Sequence, residues 1–205
     1  MAKSMSPSNP ITSGQIAKTQ ELIGAALRKS GIQNDPYQQV LKTQGKALAH
    51  EWLQLAQKRV DAISGMIVRK VKVDRSRDPQ QLLDATGRNQ CTDKRVVAGM
   101  PRGEGEEAEV CFFKLGRFVS DDDLDTEYQL RGLEPDPYAQ AQANIDDPAF
   151  ADSYPNGSHW KDKDGNWCFL TFCRWDVRRD VFCRRDGDGW LSHWWFAGRR
   201  KSSTR

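Results

Sequence analysis

The sequence predicts an α+β protein: an N-terminal helical hairpin, then a mostly antiparallel sheet of five or six strands with short helices on one side. Three observations predict it. Apolar residues recur at helical spacing through the first third of the chain, and alternation at period two takes over after it. Six of the seven tryptophans (Trp160, Trp167, Trp175, Trp190, Trp194 and Trp195) crowd into about 36 residues near the C-terminus, between turn signals. Finally, 205 residues suit one sizeable domain with a helical appendage.

Residues 1–12 are rich in Ser, Pro and Asn and lack the apolar run of a secretory signal, so they read as a disordered leader. The hairpin is expected over 13–65. Ile16, Leu22, Ile23, Ala26 and Leu27 form one stripe, with Ser13 as N-cap and Gly31 as the stop. After Asn34-Asp35-Pro36 a longer helix runs to about Ser64, with Asp35 as N-cap, Pro36 at the first helical position and Leu41, Leu48, Trp52, Leu55, Ala62 and Ile63 as its stripe. Two helices alone bury little, so this face must dock on the rest of the chain or form a homodimer through the 36–64 helix.

The α+β domain is expected over 66–200. Met66 to Asp74 alternates Ile67, Val71 and Val73 with Arg69, Lys70 and Lys72, a strand with one basic face. Pro79 opens a short helix closed by Gly87. Three glycines and a proline make Gly99 to Gly105 a loop. Glu109 to Val119 is apolar on both faces and therefore central. Ser120-Asp121-Asp122-Asp123 starts a helix with a capping hydroxyl and carboxylates at the positive end of the dipole, and Gly132 ends it. One further helix is expected over Pro137 to Asn144. A Trp-rich meander follows near 158–162, 166–175, 179–185 and 190–197, with turns at Asp164-Gly165 and Asp186 to Gly189. Residues 201–205 are a basic tail.

The net charge of +3 conceals an asymmetry: +4 over 1–65, +3 over 66–119, −9 over 120–166 and +5 over 167–205. Such imbalance either steers a charged partner or is neutralised when the acidic segment folds onto the basic ones. No stretch reaches the roughly 18 apolar residues of a membrane span, and no membrane partner is expected. The five cysteines are odd in number, four of them within expected strands, and read as buried free thiols in a cytoplasmic protein. No metal and no cofactor are expected.

Candidate chemistry is sparse. The glycine loop lacks the Gly-Lys-Ser/Thr ending of a phosphate loop and runs into Glu106 and Glu107. The carboxylates at Asp121 to Asp125 hint at a magnesium site, but only Asp121 and Asp125 share a helix face. Cys168 or Cys183 with His159 is conceivable as a nucleophile and base. The interleaving of arginine and tryptophan weighs more, because single-stranded nucleic acids stack bases on exposed aromatics and place phosphates on nearby cations. The tryptophans equally suit a core. The candidate binding residues are Arg88, Arg102, His159, Arg174, Arg178, Arg179, Arg184, Arg185, Trp190 and His193.

Asp84 to Arg88, Val96 to Gly105 (VVAGMPRGEG), Phe112-Phe113 through Phe118, Asp147 to Ala151, His159 to Asp162 and Trp195 to Gly198 resemble a family of bacterial proteins from mobile-element-like and candidate-phylum genomes. The likeness covers about 68–200. It implies one compact module with a variable N-terminal attachment, and it carries no activity, cofactor or catalytic residue with it. The expectation is a non-enzymatic binding protein that engages a nucleic acid or a protein partner. The alternatives are an enzyme acting on a nucleotide or nucleic acid, with Arg88, Arg102 and His159 converging on a cleft, and a scaffold acting through the N-terminal helices.

Overall fold

The computed structural model describes residues 11–185 and 188–201. Most of the expected leader, all but Lys201 of the basic tail, and half of the Asp186 to Gly189 turn lie outside the described residues. The chain divides into two compact units, 1–56 and 57–205.

Helices α1 (Ser13–Lys29) and α2 (Asn34–Ile63) fall where the periodicity put them. Thr12, one residue before the expected Ser13, is the N-cap, and it forms a reciprocal capping box with Gln15. No residue of α1 is buried and only Ala62 of α2 is, while Leu22, Leu41, Trp52 and Leu55 stay exposed. The α2 stripe explains this. Leu41, Leu48, Leu55 and Ala62 recur every seventh residue, but the intervening seam positions hold Gln38, Gly45 and Arg59 beside Trp52, so three of the eight seam positions offer little apolar surface.

The second unit holds an eight-stranded sheet rather than five or six strands. Its elements are β1 (Ile67–Lys72), α3 (Pro79–Asp84), β2 (Asn89–Thr92), α4 (Lys94–Ala98), β3 (Glu107–Lys114), α5 (Asp121–Arg131), β4 (Leu133–Pro135), α6 (Pro137–Asp146), α7 (Phe150–Ser153), β5 (Asn156–Lys161), β6 (Trp167–Trp175), β7 (Arg178–Arg185) and β8 (Trp195–Arg200). The strands run β1-β3-β8-β5-β6-β7-β2, with β4 paired to β8 off this path. β2 and β4 went unforeseen because four and three residues with little apolar alternation carry no period-two signal.

β5, β6 and β7 form the expected antiparallel meander, but β8 does not continue it. It crosses back and inserts between β3 and β5, antiparallel to the first and parallel to the second. β2 lies parallel to β7 at the far edge. The expected last strand over 190–197 therefore starts late, at Trp195; Trp190 instead bridges Val119, and His193 sits in the intervening turn.

The helices lie on both faces of the sheet, not on one. Below it, α3, α4, α6 and α7 cover a core that includes Leu82, Leu83, Val96, Val97, Tyr138, Phe150, Phe112, Leu170, Phe172 and Val181. Above it, Leu124 and Tyr128 of α5 pack on Cys111, Phe113, Phe196 and Trp190. Gly198 makes that approach possible, since a Cβ there would stand 2.8 Å from the Tyr128 ring.

Buried polar side chains under the sheet are largely matched, Trp160 Nε1 and Arg88 Nε being exceptions. Asn156 accepts from Gln140 (2.9 Å) and Asn144 (3.0 Å), and Ser158 donates to Gln140 (2.6 Å). Asp136 caps α6 through the Ala139 N–H and takes a two-pronged ion pair from Arg75, both contacts at 2.7 Å. Arg75 also donates to the carbonyls of Glu104 and Gly105, pinning the Gly99–Gly105 loop. That loop is a brace, not an anion cradle.

Candidate binding pocket

α5 covers the upper face of the sheet only above its β3-β8-β5 side. The helices that pack on β6 and β7 sit below. Upper-face residues of β6 and β7 therefore surround a pocket of about 320 Å³. Register places Phe169 beside Arg184, Thr171 beside Phe182 and Cys173 beside Asp180. Thr171 and Cys173 are the buried floor, and Phe169, Phe182, Trp175, Trp190 and Trp194 are the walls. Trp175 is 59% exposed. The Arg184 guanidinium lies 5.7 Å from the Phe169 ring centre and 5.5 Å from that of Phe182, within cation–π range.

Asp121, the first residue of α5, also lines the pocket. Its Oδ1 accepts from the Trp190 Nε1–H (2.8 Å) and from His159 Nδ1 (2.7 Å). The other nitrogen of His159 lies 3.1 Å from Oδ1 of Asp125, one helical turn along. Carboxylates only accept, so both contacts are satisfied together in the imidazolium form, with a proton on each ring nitrogen. Burial opposes that charge, but the hydrogen bonds and charges of Asp121 and Asp125 outweigh it and raise the His159 pKa above 6.5. The same contact lowers that of Asp125 below 3.8. Trp167 stacks on the His159 ring at 4.5 Å and 8° and closes the site from above. His159 is wholly buried with both nitrogens engaged, so it is a structural cation and not a general base.

Gly157 lets this assembly close. A Cβ on it would lie 2.5 Å from Trp190 Cζ3 and 2.9 Å from Thr171 Cγ2. Gly157→Ala is expected to destabilise the protein by about 1–3 kcal/mol through overpacking, measured by urea denaturation, and to displace the Trp190 ring, visible in near-ultraviolet circular dichroism.

The predicted site residues scatter. Arg88 is buried and donates to the carbonyls of Cys173 (3.2 Å) and Pro148 (2.8 Å). Arg102 donates to the carbonyls of Arg75, Ser76 and Arg77. With His159 held by α5, these three do not converge on a cleft. Arg174 and Arg179 both pair with Asp152, and Arg185 pairs with Asp162 and Asp164. The acidic segment thus neutralises much of the expected cationic surface. Among the described residues, Arg178 and Arg184 are in no ion pair. His193 is exposed, its ring 5.0 Å from that of Trp194.

The tryptophans divide between the two expectations. Trp160 and Trp190 are core, Trp167, Trp194 and Trp195 are half-buried, and Trp175 is exposed. The cysteine–histidine pair does not form. Cys168 and Cys183 belong to the lower core, whereas His159 lies above the sheet. Burial raises the thiol of Cys168 and pushes that of Cys183 up to about 12, so neither is a ready thiolate.

Phe169, Phe182, Trp194, Asp121 and Asp125 escaped the sequence reading as site residues. The one available signal was that Asp121 and Asp125 share a helix face; the histidine they grip lies 38 and 34 residues away. Among the described residues no group of three or more His, Cys, Asp or Glu could hold a metal ion, and no helix is long and apolar enough to cross a membrane.

Fold and site together define a mixed α+β protein with an aromatic pocket on the uncovered part of a mostly antiparallel sheet. No protein-family model matches the chain, and no curated protein or solved structure matches it either.

Proposed function

We propose that this is a non-enzymatic binding protein whose pocket stacks a base of a single-stranded nucleic acid. The observation that carries the reading is the pocket: aromatic walls on an open sheet face, with an arginine across them that is in no ion pair among the described residues. Bases stack on such walls whatever their sequence, and a guanidinium beside them serves the backbone phosphate.

Because Arg174, Arg179 and Arg185 are already committed to carboxylates, Arg178 and Arg184 carry the phosphate contacts. The salt dependence should then be shallow. Two neutralised phosphates on a single strand give a slope of log K against log salt of about −1.4. Five would give about −3.5. Titrating a short single-stranded oligonucleotide against tryptophan fluorescence at several salt concentrations measures this. Trp175→Ala should weaken binding by about 1–3 kcal/mol. No binding at low salt would remove the reading.

A second reading rests on a separate observation. Leu22, Leu41, Trp52 and Leu55 are exposed on α1 and α2, which supports self-association through these helices. Light scattering across a concentration series should then give twice the 23.3 kDa chain mass. A constant monomer mass would exclude it.

A further inference from the structure

We infer that Asp121 makes the pocket selective for guanine. The inference rests on the base-stacking reading above and adds the identity of the base. The Asp121 carboxylate has about four acceptor positions. Trp190 and His159 occupy Oδ1, and Oδ2 takes no hydrogen bond among the described residues. The pocket that Asp121 lines is otherwise aromatic, with Thr171, Cys173 and Arg184. A flat ring sliding between those walls thus meets an acceptor-only group.

The four bases differ in what they can bring there. Guanine presents two adjacent donors, the ring N1–H and the 2-amino group, with no acceptor between them. Adenine and cytosine each place one amino group beside an acceptor ring nitrogen, which a carboxylate repels. Uracil and thymine flank their single N–H with two carbonyl oxygens. A carboxylate that offers only acceptors to a ligand with only donors satisfies both sides, and each mismatched acceptor costs affinity. His159 supports this indirectly. Its charge is spent between Asp121 and Asp125, and it fixes the carboxylate without reaching the ligand itself.

The test uses the intact protein and nucleosides, which lack phosphate and so isolate the pocket from the arginines. Guanosine, inosine, adenosine and uridine are titrated separately by calorimetry or tryptophan quenching. Guanosine should bind about tenfold more tightly than adenosine or uridine. Inosine keeps N1–H but lacks the 2-amino group, and should fall between them. Asp121→Asn, which replaces an acceptor oxygen by a donor, should bring guanosine down to the level of adenosine and uridine and so erase the ranking of the nucleosides. If that variant melts early, the wild-type nucleoside series alone still decides. Equal binding of all four nucleosides overturns guanine selectivity and leaves base stacking standing. No binding of any nucleoside or oligonucleotide overturns both.

Discussion

Replacing His159 by leucine is expected to cost about 3–5 kcal/mol of stability, because it leaves two carboxylates, Asp121 and Asp125, with no cation between them. The geometry sets the size. The side chain is fully buried, and both nitrogens contact carboxylate oxygens at 2.7 and 3.1 Å. Asp121 is itself almost buried, so little water reaches it once its partner is gone. The loss should also carry a pH signature. The folded-state pKa of His159 is raised above 6.5, so its contribution is complete below that value and disappears as pH climbs through the raised one. That of Asp125 is lowered below 3.8, so its contribution is present above that value and disappears as pH falls through the lowered one. The cluster is therefore strongest between about pH 4 and 6.5. Urea denaturation at pH 6 and pH 9 should show wild-type stability falling with alkali and the His159→Leu variant lacking that component. An equal fall in both would assign the pH dependence to other groups.

Asp136→Ala should be comparably damaging, at about 3–5 kcal/mol. The side chain is fully enclosed and does three things at once: it takes both prongs of Arg75, caps α6 at Ala139, and faces Arg199 Nε at 3.6 Å. Removing it strands a guanidinium whose side chain is only 13% exposed and frees the loop that Arg75 pins. The cap alone accounts for about 1 kcal/mol. Asp136→Asn keeps an acceptor for the cap and loses the charge, so it should fall between alanine and wild type. Chemical denaturation measures all three. A loss below about 1 kcal/mol for the alanine variant would mean that Arg75 finds another partner.

These two centres show what a sequence can and cannot carry. The helices at Ser13, Pro79, Ser120 and Pro137 were legible because their start signals and apolar spacing lie within a few residues of each other. So were the β5, β6 and β7 strands. The insertion of β8 between β3 and β5 was not legible, because nothing local distinguishes a strand that continues a meander from one that crosses back. The same holds for the pocket. Trp190 looks like any strand tryptophan until Val119 and Gly157 place it over the sheet. Asp121 looks like a dipole-matched helix start until His159 and Trp190 reach it. Arginines read as a free cationic surface proved half-committed, since Asp152 and Asp162 come from the acidic segment that the charge asymmetry had already marked.

The most direct test is a map of the indole N–H signals by nitrogen–proton NMR during titration with a short guanine-containing single strand. The seven tryptophans occupy distinct places: Trp175, Trp190 and Trp194 line the pocket, Trp160 lies in the lower core and Trp52 on α2. Base stacking in the pocket should move the signals of Trp175, Trp194 and Trp190 together, the last through its bond to Asp121, while Trp160 and Trp52 stay still. Movement confined to Trp52, or no movement while binding is detected by other means, would place the ligand elsewhere and contradict the account.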